Sequence, residues 1–114
     1  MKLAIIGSRS FTNFEYLSSI LTEYASEISE IISGGATGAD NLAEQWAKSH
    51  NIPITVYPAD WTRYGRSAGP RRNHDIILNC DKCIAFWDGE SNGTGHAIGL
   101  CTKYKKPVHI VSYV

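Results

Sequence analysis

The 114-residue sequence has no excess of charge of either sign, because eleven basic residues balance eleven acidic ones. A protein that binds a nucleic-acid backbone through many phosphates normally has a basic surface. We therefore expect no extended nucleic-acid surface, so any anion site must be local. The sequence also lacks an apolar run of the roughly 20 residues that a membrane-spanning helix needs, so we expect no membrane partner.

Cysteine is scarce, and histidine is dispersed along the chain. Cys80, Cys83 and Cys101 are odd in number, and no signal peptide precedes the first predicted strand, which argues against a disulfide framework and favours a cytoplasmic protein. Cys80 and Cys83 form a CxxC without a second ligand pair, so we interpret them as structural thiols. The four histidines show no metal-ligand spacing. We predict no metal and no cofactor.

Strand and helix patterns alternate along the whole chain. Apolar strand-length runs lie at residues 2–6, 30–33, 52–57, 82–86 and 107–111, with helical periodicity between most of them. Alternation of this kind predicts a single α/β domain over residues 1–114, a Rossmann-like doubly wound parallel sheet of about five strands in the order 3-2-1-4-5 with helices on both faces. Residues 58–69 lack periodicity and are predicted to form a loop that acts as a lid or site wall.

Two glycine-bearing turns, at residues 34–40 and 89–95, follow the second and fourth predicted strands. Small residues let backbone N–H groups approach a phosphate at the positive end of the next helix. Neither turn has the GxGxxG or GxxxxGK[ST] pattern, which argues against dehydrogenases and triphosphatases. Tight packing alone is the alternative for the first turn. The predicted ligand contacts from these turns are Gly34, Gly35, Ala36, Thr37, Gly38, Ser91, Gly93 and Thr94.

Further polar and aromatic residues are predicted at the same sheet edge, where ligands of doubly wound sheets bind. Arginines suit phosphate, carboxylates suit ribose hydroxyls, and tryptophans suit stacking on a base. For Asp40, helix capping is an equal alternative, and His74 and His96 are interpreted as helix-surface residues in preference to acid–base groups. The additional predicted contacts are Gly7, Ser8, Arg9, Asp40, Asp60, Trp61, Arg72, Asn73, Trp87 and Asp88.

Five short motifs occur together in this chain. They are Gly-Ser-Arg at 7–9, Gly-Gly-Ala-Thr-Gly-Ala-Asp at 34–40, Pro-Ala-Asp-Trp at 58–61, Ala-Gly-Pro-Arg-Arg-Asn at 68–73 and Phe-Trp-Asp-Gly-Glu-Ser-Asn-Gly-Thr at 86–94. In this order they resemble the YspA-like (cpYpsA-related) family of the SLOG superfamily, over nearly the whole chain. That superfamily includes the distantly related Lonely Guy phosphoribohydrolases, which cleave the N-glycosidic bond of nucleoside 5′-monophosphates, as well as sensors of NAD-derived signals and DNA-processing proteins.

The resemblance leaves two functions open. It implies that Arg72 matches the catalytic arginine of the hydrolases, but Gly95 and His96 follow Gly93-Thr94 where the hydrolases carry glutamates. We therefore favour a sensor, carrier or sequestering protein that binds a nucleoside monophosphate, ADP-ribose or an NAD-derived signal. The alternative is a nucleotide N-glycosidase in which Arg72 and Asp88 are catalytic. The resemblance also implies a homo-oligomer.

Overall fold

The computed structural model describes residues 1–113, in which strands and helices alternate. The strands are β1 (Lys2–Gly7), β2 (Glu30–Ser33), β3 (Ile54–Val56), β4 (Lys82–Trp87) and β5 (Val108–Ser112). The helices are α1 (Phe14–Tyr24), α2 (Ala39–Ser49), α3 (Trp61–Tyr64), α4 (Ala68–Asn79) and α5 (Asn92–Lys103). Short 3-10 segments follow α1 and α3.

The five strands form one parallel sheet in the order β3-β2-β1-β4-β5, which confirms the predicted architecture. The central strands β1 and β4 are buried over most of their length, as expected of parallel strands covered on both faces. Strand β3 lies at the edge, and Pro53 immediately precedes it, where a missing N–H is tolerated. After β3 the chain crosses to the other side of β1 and adds β4 there, so the order of strands in the sheet reverses between β1 and β4.

Helices cover both faces of the sheet, and the two-residue period of the strands separates the core into two layers. In β1, Leu3 and Ile5 face α1 and α2, while Ala4 and Ile6 face α4 and α5. Trp46 is fully buried in the first layer. Because both layers are apolar up to the carboxyl edge of the sheet, polar side chains collect in the loops at that edge.

The cysteines lie in the second core layer. Cys80, Cys83 and Cys101 are buried free thiols, in agreement with the structural role predicted for the first two. Burial raises the pKa of the Cys80 thiol to about 11, so this side chain is protonated at neutral pH.

The segment predicted as a loop is largely helical. The side-chain oxygen of Asp60 accepts a hydrogen bond from the Arg63 N–H at 3.1 Å, which caps α3, and the 3-10 turn then leads directly into α4. Helix α4 begins at Ala68, so the last two residues of the predicted loop belong to its first turn. A helix of four residues is too short to show a hydrophobic period, so the sequence pattern missed it.

Two further observations concern the described residues. Within residues 1–113, no helix is both long and apolar enough to cross a lipid bilayer. Over the same part of the chain, no three His, Cys, Asp or Glu side chains come together as a set of metal ligands.

Candidate functional site

A cavity of about 780 Å³ opens where the chain leaves β1 and β4, at the point where the strand order reverses. Ligands of doubly wound sheets bind at this position. The turn after β1, the first turn of α4 and the turn between β4 and α5 form its walls. It brings together twelve of the predicted residues, namely Gly7, Ser8, Arg9, Ala36, Asp40, Trp61, Arg72, Asn73, Asp88, Ser91, Gly93 and Thr94.

A smaller cavity of about 190 Å³ adjoins the first. It contains the predicted residues Gly34 and Gly35, together with Pro58 and Ala59. Both cavities share Arg9, Ala36, Trp61 and Arg72. The two spaces are therefore neighbouring compartments of one site, with two arginines between them.

Four predicted residues line neither cavity: Thr37, Gly38, Asp60 and Trp87. Thr37 is exposed, and Asp60 caps α3. The Trp87 indole N–H donates to the Ser91 carbonyl at 3.1 Å, and the indole ring packs against Gly95. Asp60 and Trp87 therefore stabilise the segments that border the site.

The turn after β1 joins the two glycine turns through Ser8, which is 2% exposed. Its backbone N–H donates to the Phe86 carbonyl at 3.0 Å, and its hydroxyl accepts from the Asp88 N–H at 3.3 Å. On its other side, Gly38 has a φ of +86°, and a Cβ there would lie 2.5 Å from the Ser8 carbonyl oxygen. Only glycine fits this close approach without strain.

Asp40 holds the first glycine turn. Its Oδ2 accepts hydrogen bonds from the N–H groups of Gly34, at 3.2 Å, and Ala36, at 3.4 Å. Burial raises the pKa of this carboxyl to about 6, because the loss of hydration outweighs the two N–H donors and the nearby Arg72. Asp40 therefore holds the loop that precedes α2 and does not cap the helix, whose N-cap residue is Gly38.

Arg72 lies between the compartments and is only partly satisfied. Its Nη1 donates to the Gly34 carbonyl at 2.9 Å, whereas its buried Nε has no hydrogen-bond partner among the described residues. A guanidinium has five N–H donors in a planar fork. Arg72 therefore has N–H donors in addition to the one that is bonded to the Gly34 carbonyl of the first turn.

Asp88 holds the second glycine turn. Its Oδ1 accepts from the N–H groups of Glu90, at 2.9 Å, and Ser91, at 2.8 Å, and its Oδ2 accepts from the Ser91 hydroxyl at 3.3 Å. These hydrogen bonds lower the pKa of the Asp88 carboxyl, so it is ionised at neutral pH. Both cavity aspartates therefore bind backbone amides of their own loops.

Three of the helices that begin beside the cavity lack side-chain caps. Helices α2, α4 and α5 start after Gly38, Ser67 and Ser91, and none of these residues makes a side-chain cap hydrogen bond. By contrast, α1 and α3 are capped by Asn13 and Asp60. First-turn N–H groups without a side-chain acceptor, at the positive end of a helix, form an anion site.

The structure also adds residues that were not among the predicted contacts. His96, expected on the surface of a helix, lies in the cavity wall. Ile6, Ile76 and Ala97 form an apolar part of the lining. Their sequence signal is that of ordinary core residues, so no pattern distinguishes them before the helices are packed. Small and polar additions are Ser10, Gly69, Pro70 and Asn92.

Comparison with known proteins places the chain in a family. A sequence model of the YspA, cpYpsA-related SLOG family matches residues 1–64. The chain belongs to this family. A relative, the gene 61 protein of Mycobacterium phage D29, is 36% identical over 84 residues, which cover 68% of this chain and 67% of the phage protein. The family assignment confirms the resemblance drawn from the five motifs.

Solved structures share the fold of this SLOG protein. DNA processing protein A (DprA) of Streptococcus pneumoniae matches 99% of this chain with a TM-score of 0.84 and 17% identity, and the chain spans 50% of that protein. DprA of Helicobacter pylori matches 100% with a TM-score of 0.79 and 20% identity, over 66% of its length. The protein TM1055 matches 94% with a TM-score of 0.70 and 18% identity, over 71% of its length.

The expectation of no extended nucleic-acid surface is contradicted by these neighbours. The structural study of the H. pylori DprA describes its binding of single-stranded DNA, and that protein shares the fold of the entire chain. Net charge failed as a criterion because it sums over the chain and ignores clustering. Here Arg63 and Arg71 lie over the Tyr64 ring, with guanidinium carbons 5.1 and 4.3 Å from its centroid, and Arg66 lies in the same segment.

The raised pKa of Asp40 predicts a specific pH dependence of stability. The folded state favours the protonated carboxyl, so this contribution is fully present below the ordinary pKa of 3.8 and is lost as pH rises through about 6. A shift of this size corresponds to ~3 kcal/mol. We expect the free energy of unfolding of the wild type, measured with denaturant, to fall by ~2 kcal/mol relative to Asp40→Asn between pH 4 and pH 7.

Asp75→Asn, a matched change at an exposed position of α4, serves as the control. It should stay within ~0.5 kcal/mol of the wild type at every pH. If the difference in free energy of unfolding between the wild type and Asp40→Asn does not change with pH, the claim that burial raises the pKa of Asp40 is wrong.

Proposed function

We propose that the cavity binds the phosphate and ribose of a nucleotide-derived ligand, such as a nucleoside monophosphate, ADP-ribose or an NAD-derived signal. The observation that carries this proposal is the convergence of two helix starts without side-chain caps, those of α2 and α5, on one cavity. An anion at this point satisfies first-turn N–H groups and the helix dipoles together. The protein would act as a sensor, a carrier or a sequestering protein.

Two arginines supply the charge that a phosphate requires. Arg9 is exposed, its backbone lies against Gly38 of the first glycine turn, and it lines both cavities together with Arg72. Gly93 and Thr94, in the first turn of α5, line the same space. Charge-assisted hydrogen bonds from a guanidinium to a phosphate are about twice as strong as neutral ones. A phosphate between Arg9 and the start of α5 would therefore be held by both charge and backbone.

Binding without turnover has more support than N-glycoside hydrolysis. The hydrolytic alternative pairs Arg72 with Asp88, but both carboxylate oxygens of Asp88 accept hydrogen bonds from its own turn. Asp40 is similarly engaged with the first turn. His96 occupies a position where the hydrolases carry a glutamate, and an imidazole does not provide the negative charge that stabilises an oxocarbenium-like transition state.

Single-stranded nucleic acid is a second candidate ligand class, supported by a separate observation. Trp61 is 52% exposed and lines both cavities. The Tyr64 ring with its two arginines follows in the next residues of the chain. Aromatic faces with flanking arginines bind unpaired bases and backbone phosphates. The single-stranded DNA binding described for the H. pylori DprA, which has this fold, favours the same interpretation.

The nucleotide proposal predicts that binding depends on Arg9. We expect AMP or ADP-ribose to bind the wild type in isothermal titration calorimetry, and Arg9→Ala to weaken binding about tenfold or more, as loss of a charge-assisted hydrogen bond would. Arg66→Ala removes the same charge outside both cavities and should change the affinity less than about twofold. Chromatography of the same samples should detect no released base.

Absence of binding of both ligands to the wild type contradicts the proposal. Equal weakening of binding by Arg9→Ala and Arg66→Ala would show that the ligand responds to the overall charge of the protein and not to a contact with Arg9. Base release that Arg72→Ala abolishes would favour the hydrolase instead.

The nucleic-acid candidate makes a different prediction. Fluorescence anisotropy with a labelled oligothymidylate should show salt-dependent binding, and joint replacement of Arg63, Arg66 and Arg71 by alanine should flatten the logarithmic salt slope by about 2. Joint replacement of Lys2, Lys48 and Lys103, exposed residues at the opposite edge of the sheet, removes the same charge. Equal effects of the two triple variants would rule out the arginine cluster as the binding surface.

A further inference from the structure

The side wall of the larger cavity contains a buried amide in a fixed orientation. Asn73 in α4 is 8% exposed, and its Nδ2 lies 3.2 Å from the Gly93 carbonyl oxygen and 3.3 Å from Nδ1 of His96. A carbonyl oxygen can only accept a hydrogen bond, so the amide nitrogen must face it. The opposite orientation would place two oxygens against each other. The contact with Gly93 therefore sets which way the amide points.

This orientation fixes the proton on the His96 ring. One Nδ2 hydrogen is donated to Gly93 and the other to Nδ1 of His96, so Nδ1 accepts and carries no proton. A neutral imidazole with a bare Nδ1 holds its proton at Nε2. Burial and the neighbouring His74, with ring centroids 5.9 Å apart, lower the pKa of His96, so the ring is neutral at neutral pH.

His74 is engaged elsewhere. Its Nδ1 lies 3.0 Å from the Tyr104 hydroxyl, and its side chain does not line the cavity. The charged groups that share the cavity with His96 are Arg9, Asp40, Arg72 and Asp88, of which the two aspartates are bonded to their own turns. Among the described residues, Nε2 of His96 has no hydrogen-bond partner, so its N–H is a neutral donor that remains available in a residue of the cavity wall.

Apolar side chains continue the lining beside His96. Ile6 precedes Gly7 in β1, Ile76 is one helical turn after Asn73, and Ala97 follows His96. All three belong to the second core layer. An apolar floor with one donor at its edge suits a flat aromatic ring that carries an acceptor. It does not suit a phosphate.

We propose that Nε2–H of His96 donates to an unprotonated ring nitrogen of a purine base that rests on Ile6, Ile76 and Ala97. This assignment rests on the proposed function, since it leaves the phosphate and ribose at the glycine turns. It makes His96 the residue that selects the base and Asn73 the positioning residue that fixes its tautomer.

The tautomer is measurable without a ligand. Long-range ¹H–¹⁵N correlation spectra of the ¹⁵N-labelled protein at pH 7 should show His96 with the proton on Nε2, and Asn73→Ala should give a mixture of both tautomers. A proton on Nδ1 in the wild type overturns the assignment, whatever the protein binds. This outcome is independent of the proposed function.

The base contact is testable by removing single ligand atoms. We expect one of 1-deaza-, 3-deaza- and 7-deaza-AMP to bind the wild type about three- to tenfold more weakly than AMP, the effect of one neutral hydrogen bond. His96→Phe should bind all four nucleotides alike, whereas His96→Gln, which retains an N–H donor, should keep part of the discrimination. His109→Phe, at an exposed position in β5 outside both cavities, should behave as the wild type.

Equal binding of all analogues to the wild type, or unchanged discrimination in His96→Phe, overturns the assignment while the proposed function stands. If AMP and ADP-ribose both fail to bind the wild type, the proposed function fails, and the base assignment with it.

Discussion

Ser8 joins the three turns that make the site. It follows β1, accepts the N–H of Asp88 from the second glycine turn, and lies against Gly38 of the first. A side chain at position 38 would collide with the Ser8 backbone, and loss of the Ser8 hydroxyl would leave the Asp88 N–H without this partner. The separation of the two glycine turns, and hence the width of the cavity between them, therefore depends on one buried serine and one glycine.

Around this junction, the carboxylates and the cations have separate roles. Asp40 and Asp88 bind backbone amides and set the shape of their turns. Arg9 and Arg72 retain donors toward the cavity, and the first turns of α2, α4 and α5 have no side-chain caps. A site whose loops are held before a ligand arrives loses less conformational entropy on binding. Both carboxylates that line the cavity, Asp40 and Asp88, are hydrogen-bonded to their own loops. Neither is therefore free for the role that the hydrolytic alternative requires.

The sequence predicted the sheet and most of the cavity wall, because strand alternation and turn chemistry are local signals. The order of the strands followed from handedness rules, and Gly93, Thr94 and Arg72 followed from their places beside strand ends. Features that depend on packing were missed. Helix α3 is too short to be periodic, and the direction of the Trp87 ring is set by its contact with Gly95.

The place of His96 also depends on packing and could not be predicted from the sequence. Its spacing is that of a helix-surface residue, and only the approach of Asn73 from α4 places it in the wall with a defined tautomer. The expectation about nucleic acid failed for a related reason, because a count of charges contains no information about where Arg63 and Arg71 meet, over the Tyr64 ring. Composition excludes a uniformly basic surface but not a local one.

A phosphate site at the glycine turns is tested most directly by a map of the backbone amides whose signals shift when a phosphate binds. In ¹H–¹⁵N correlation spectra of the labelled protein titrated with ADP-ribose, we predict saturable shifts concentrated at Ala36, Gly93 and Thr94, with the amides near the C-terminal ends of α2 and α5 unshifted. Shifts confined to those C-terminal ends, or spread without saturation over the surface, would contradict a phosphate site at the glycine turns.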